Sequence, residues 1–164
     1  MRSFPLVELG GASAMSEPSA RRITSVDALN HYRKGTGTPL RMNFSDIDTS
    51  AVRVVDFPQV RALISGESTG EFFVDSRIPF STSGDQAGYL GNITLRLQGR
   101  LALEQKFFGF RGTLKSFDDR YDFNRSTHRG IIGEVLTRWG AGQPGVPYDI
   151  QIRGSKVVDE VGGR

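Results

Sequence analysis

The chain has 164 residues, 37% hydrophobic and 24% charged, a size and balance that point to one globular domain with its own core. It carries no cysteine, which excludes disulfides and thiolate metal sites, and its net charge of +3 favours anionic partners only mildly. No apolar run approaches the roughly 20 residues that span a bilayer, and the opening MRSFPLVELGGASAMS, broken by Pro5 and Glu8, does not read as a secretory signal.

Residues 1–28, rich in Ser, Ala, Gly, Pro and Arg, read as a flexible N-terminal tail or linker, and residues 29–164 as the working domain. Within ITSVDALNHYRKGTG a helical turn is expected to start near Ser25, capped by that hydroxyl, and to stop at Gly35 to Gly37. Leu40, Met42 and Phe44 then alternate with Arg41, Asn43 and Ser45, the pattern of a half-buried strand. Phe57, Val60, Leu63 and Ile64 recur at helical spacing before Gly66, and EFFVDSRIPF reads as a strand. The strongest β signal runs from Tyr89 to Phe117. Ile93, Leu95 and Leu97 face one way, Gln98 to Arg100 is read as a turn, and apolar runs resume at Leu101, Leu103, Phe108 and Phe110, with a third short strand through Leu114 and Phe117. Ile131, Ile132, Val135, Leu136 and Trp139 make one face of a helix closed by Gly140. Tyr148, Ile150 and Ile152 mark a late strand, and DEVGGR is expected to fray. The sum is α+β and β-rich: a strongly curved antiparallel sheet or open barrel with short helices.

Between the β-rich run and the last helix lies DDRYDFNRSTHRG, Asp118 to Gly130. If the preceding strand continues into it, Asp119 and Tyr121 point one way and Asp122 the other. Two carboxylates with a phenol between them can share a hard cation or divide acid and base roles. Mg²⁺ takes few protein carboxylates and keeps water and substrate oxygens, which suits phosphate chemistry. His128 and Arg129 precede the helix start, where backbone N–H groups and the helix dipole favour an anion. Arg129 can fork onto phosphoryl oxygens and His128 can pass a proton near neutral pH. Plainer readings stand beside these. The Asp-Asp-Arg run also suits a solvated turn, Tyr121 and Phe123 suit a core, and His128 suits a structural role. His31 has no acidic cluster beside it and reads as surface.

The order Asp119-x-Tyr121-Asp122-Phe123-Asn124, followed by His128-Arg129, closely resembles the activity-domain signature of colicin M-like bacteriocins. Seven specified residues fall in an eleven-residue window, with no substitution at the key positions. The resemblance extends from about residue 30 to the C-terminus and implies an open, highly curved antiparallel β-barrel flanked by short helices. It also implies an Mg²⁺-dependent phosphoesterase, other divalent cations being alternatives. Such a toxin acts in the periplasm of a target bacterium and cleaves lipid II between undecaprenyl and pyrophosphate. By the same resemblance Asp119 is the indispensable acid and first candidate for a metal contact, and Tyr121, Asp122, His128 and Arg129 complete the catalytic set. In that scheme Asp119 and the cation polarise the pyrophosphate and position water, Arg129 neutralises developing charge, and His128 or Asp122 exchanges a proton. Asn124 orients the loop.

Complete toxins of this family carry translocation and receptor-binding parts ahead of the activity domain, and about thirty residues are too few for them. An isolated activity domain or a short form that borrows import machinery is therefore expected. It would be a monomer, released by producer lysis, with an immunity protein in producer cells and no nucleic-acid partner. Two other classes remain open from the residues alone. A metal-dependent nuclease toxin would show a broad basic face with interleaved aromatics, whereas here the basic residues are scattered. A non-catalytic β-barrel module that grips an anion would keep binding after loss of Asp119.

Overall fold

A computed structural model describes residues 22–121 and 145–164. In chain order these form α1 (Ser25–Lys34), β1 (Leu40–Asn43), α2 (Pro58–Ser65), β2 (Gly70–Ser81), β3 (Asn92–Leu103), β4 (Phe107–Ser116), β5 (Asp119–Tyr121), β6 (Tyr148–Arg153) and β7 (Lys156–Gly163). Short 3₁₀ turns at Phe44–Asp46, Val54–Asp56 and Gly84–Gly88 link them. The fold is α+β and strand-rich, as the periodicity predicts.

Period-2 patterning builds the main sheet. β3 buries Ile93, Leu95, Leu97, Leu101 and Leu103 on one face, and β4 adds Phe108, Phe110 and Leu114. With β2 and β7 they form a four-stranded antiparallel sheet in the order β2-β3-β4-β7. α2 starts at Pro58, whose missing N–H costs nothing at the first helical position, and buries Val60 beside β2. The Gln59 side chain occupies the outer edge of β2, donating to Phe73 O at 3.2 Å and accepting from Asp75 N at 2.9 Å. That blunts an edge strand open to unwanted pairing.

Four expectations about the strands need correction. The expected open barrel is antiparallel throughout, and among the described residues the strands instead form two sheets, one of them mixed. A second sheet of three strands, β1-β6-β5, stands apart, and β1 pairs with β6 in parallel. Gln98 to Arg100 is not a turn, because β3 runs through it. Gly99 lies opposite Gly112, and a Cβ on either would come within 2.8 Å of the Phe110 ring, so the glycines admit that ring. The third short strand through Leu114 is part of β4, while Phe117 follows it. The C-terminal segment does not fray. β7 pairs with β4 from Lys156 to Gly163, Glu160 accepts from Val54 N at 3.1 Å, and the Arg164 guanidinium donates to the carbonyls of Ile64, Gly66 and Glu104.

The first helix starts at Ser25 as expected, but its cap is the residue before. Thr24, not Ser25, caps α1 in a reciprocal pair with Asp27, while the Ser25 hydroxyl donates to Asp85. Residues 25–28, read as tail, belong to this helix, and Ala28 is fully buried in the core. Gly35 closes α1 with a left-handed φ of 66°, a conformation that glycine adopts without strain. The predicted helix from Ile131 to Trp139 lies outside the described residues.

Candidate active site

The motif strand owes its position to a change of sheet. β4 ends at Ser116, and after only Phe117 and Asp118 the chain re-enters β structure as β5 in the three-stranded sheet. Two contacts hold this crossing. Ser116 Oγ donates to Thr94 O at 3.2 Å, and Asp118 Oδ1 accepts from Ile152 N at 3.0 Å and from Arg153 Nη1 at 3.4 Å. The Asp118 carboxylate thus serves as an anchor onto β6, not as a solvated turn residue. Arg77 lies over the Phe117 ring at 5.0 Å, a cation–π contact on the outer side of the crossing.

β5 then pairs antiparallel with β6: Asp119 stands opposite Ile150, Arg120 opposite Asp149, and Tyr121 opposite Tyr148. Alternation places Asp119 and Tyr121 on one face, as expected, with Asp119 partly exposed and Tyr121 fully buried. Tyr121 stacks on Tyr148, ring centroids 5.0 Å apart, and meets Tyr32 of α1 edge-on at 6.1 Å. Tyr148 in turn donates its hydroxyl to Ala28 O at 2.8 Å and takes the edge of His31 at 4.5 Å. His31 Nε2 lies 2.6 Å from Thr38 O, and because a carbonyl only accepts, that nitrogen carries the proton. His31 is therefore a partly buried packing residue rather than a free surface histidine.

Two consequences follow for the chemistry. Tyr121 positions the strand from inside an aromatic cluster built by α1, β5 and β6, with each aromatic pair contributing about 0.5–1.5 kcal/mol beyond area burial. Asp119 is held two residues earlier on the same face, at the point where the chain has just changed sheets. Asp122, Asn124, His128 and Arg129 lie outside the described residues. Sequence reasoning missed the supporting set of Tyr32, Tyr148, Asp118 and Arg153. Only the apolar alternation of β6 hinted at Tyr148, and nothing local marks the others.

No group of three His, Cys, Asp or Glu side chains able to hold a metal occurs among the described residues. The donor chemistry of Asp119 nevertheless fits a hard divalent cation, which binds through one or two carboxylates and retains water in the rest of its shell. Two surface cavities, of 720 and 470 Å³, are lined by Arg22, Asp48 and neighbouring loop residues, and neither includes Asp119 or Tyr121.

Comparison with known proteins gives a consistent set of likenesses. A family model described as Colicin M matches residues 11–164. The chain is 37% identical over 155 residues to Colicin-M of Escherichia coli, covering 92% of this chain and 56% of that protein. Among solved structures, pectocin M2 matches 85% of the chain at a TM-score of 0.75 and 33% identity, over 54% of its own length. PaeM, a colicin M-like bacteriocin produced by Pseudomonas aeruginosa, matches 86% at 0.72 and 31% identity, over 51% of its length. Syringacin M from Pseudomonas syringae pv. tomato matches 85% at 0.71 and 32% identity, over 52% of its length. The chain spans about half the length of these relatives.

Proposed function

The chain belongs to the colicin M family, and from that membership we propose that it is a bacteriocin toxin that stops peptidoglycan synthesis by hydrolysing lipid II. The reaction consumes one water and gives undecaprenol and the pyrophosphorylated disaccharide-peptide. The toxin is released by producer lysis, acts in the periplasm of the target bacterium, and requires an immunity protein in the producer and a route of import into the target. What supports the reading is Asp119: a partly exposed carboxylate fixed by a sheet crossing and an aromatic cluster, at the head of the family's motif.

The family's motif suggests a division of labour among these residues. Asp119 would hold Mg²⁺, which when bound supplies positive charge against a phosphoryl oxygen. Tyr121, buried among Tyr32 and Tyr148, anchors the end of the strand that carries Asp119. Arg129 is suited to hold phosphoryl oxygens bidentately, and His128 or Asp122 to pass the proton between water and the leaving lipid alcohol. Asn124 supports the loop between them.

The test is incubation of the purified chain with lipid II and Mg²⁺, followed by chromatography of lipid-soluble and water-soluble products. The expected products are undecaprenol and the pyrophosphorylated fragment. Asp119→Ala should lower turnover by at least roughly 10²–10³-fold while its melting temperature stays near that of the wild type. Wild-type turnover in Asp119→Ala, or cleavage of DNA or RNA in place of lipid II, would overturn the reading.

A further inference from the structure

The outer face of the four-stranded sheet is covered by no other element among the described residues, and its register shows how charge is distributed on it. Arg77, Arg96 and Lys115 stand side by side in one cross-strand row over β2, β3 and β4. Like charges directly opposite one another destabilise a sheet, so such a row calls for neutralisation. Each acid on this face is already paired: Asp75 with Arg96, Glu71 with Arg100, and Asp159 with Arg111. Among the described residues, Arg77 and Lys115 meet no carboxylate. Five cations against three acids leave the face net positive.

The same face is unusually apolar for solvent. Phe73 is 67% exposed, Phe107 57%, Val157 73% and Val161 74%, and the strand registers place all four on the cationic side of the sheet. The row of cations lies at the end from which β4 leaves for the motif: Arg77 touches Phe117, two residues before Asp119. Neither of the two cavities lined by Arg22 and Asp48 includes these residues, and the exposed side chains spread over four adjacent strands of one sheet face.

We propose that this platform docks the protein on a bilayer of anionic phospholipids, the cations meeting headgroup phosphates and the exposed Phe and Val side chains entering the interface. A second copy is disfavoured because a two-fold contact would press this net positive face against itself. Docking here sets the Asp119 strand beside the membrane, the place where a lipid-borne pyrophosphate is found. That functional consequence rests on the proposed hydrolase reading, while the docking itself does not.

Vesicle co-sedimentation of the 164-residue chain, without substrate, tests the proposal. Binding is expected to phosphatidylglycerol–phosphatidylcholine vesicles, to weaken with salt, and to be lost on pure phosphatidylcholine. Arg77→Gln with Lys115→Gln should weaken binding on the order of 30-fold, from the usual contribution of two basic residues near an anionic surface. Phe73→Ser with Phe107→Ser should weaken it at every salt concentration. All four residues lie on the open face, and unchanged melting temperatures would show that the variants fold. Equal binding to neutral vesicles, full binding by the Arg77/Lys115 double variant, or a dimer in gel filtration that Phe73→Ser with Phe107→Ser dissolves would overturn it. Because no substrate is present, a chain that binds vesicles but leaves lipid II intact would sink the hydrolase reading and leave docking standing.

Discussion

Asp118→Ala tests whether the crossing between sheets holds the site in place. The wild-type carboxylate accepts a hydrogen bond from Ile152 N at 3.0 Å, on a strand whose Ile152 is 5% exposed, and one from the exposed Arg153 at 3.4 Å. A hydrogen bond to a charged acceptor contributes about 1.5–3 kcal/mol, and an exposed ion pair such as that with Arg153 adds at most about 1 kcal/mol. The variant should therefore lose about 1.5–4 kcal/mol, which for a chain of this size lowers the melting temperature by roughly 3–16 °C. Asp118→Asn keeps an acceptor oxygen for Ile152 N and should lose about 1 kcal/mol. Calorimetry and urea denaturation measure both. Turnover of lipid II should fall in the same order, Asp118→Ala more than Asp118→Asn, because a shift of about 1 Å in a reacting group can cost about 10²-fold. The reasoning is refuted if Asp118→Ala is as stable as the wild type within about 0.5 kcal/mol, or if the Asn variant is as weakened as the Ala variant.

Three further outcomes are expected. Gly99→Ala should cost about 3 kcal/mol or more, or prevent folding, because the new Cβ would lie 2.3 Å from Arg111 O, a backbone atom that cannot swing aside; urea unfolding checks it. Tyr148→Phe keeps the stack on Tyr121 but loses the bond to Ala28 O, and should cost about 1 kcal/mol, whereas Tyr148→Ala should cost about 3–5 kcal/mol and also lower turnover. The Arg96 guanidinium holds the Asp75 carboxyl below its ordinary value. The stabilisation from that ion pair is complete above the unfolded-state pKa and is lost as pH falls through the depressed folded value; an NMR titration should show Asp75 moving back up in Arg96→Gln.

The parts of the fold governed by local pattern were legible. The alternation in β3, β4 and β6 and the helical spacing before Gly66 led to the right elements, because one face of each is buried in a single core. Errors arose where the cause is non-local. Gly99 carries the same residue as a turn would, yet its role is set by Phe110 of the next strand. The parallel pairing of Leu40 with Ile150 joins segments far apart in sequence, and no short-range signal encodes it. β7 looked like a tail because its valines are spread among acids and glycines, whereas Glu160 and the terminal Arg164 pin it to distant backbone. For the site, spacing within the motif pointed to Asp119 and Tyr121 on one face. The aromatic support beneath them comes from α1 and β6, which the motif itself does not mention.

The central strand of the three-stranded sheet is the one contributed last. β6 lies between β1 and β5, so neither can find its hydrogen-bonding neighbour until residues 148–153 have been synthesised. A nascent chain still missing that strand has made Asp119 but has nothing against which to set it. Competence of this centre is thus tied to the synthesis of residues 148–153, and a chain cut short before them would carry the motif without the sheet that sets it.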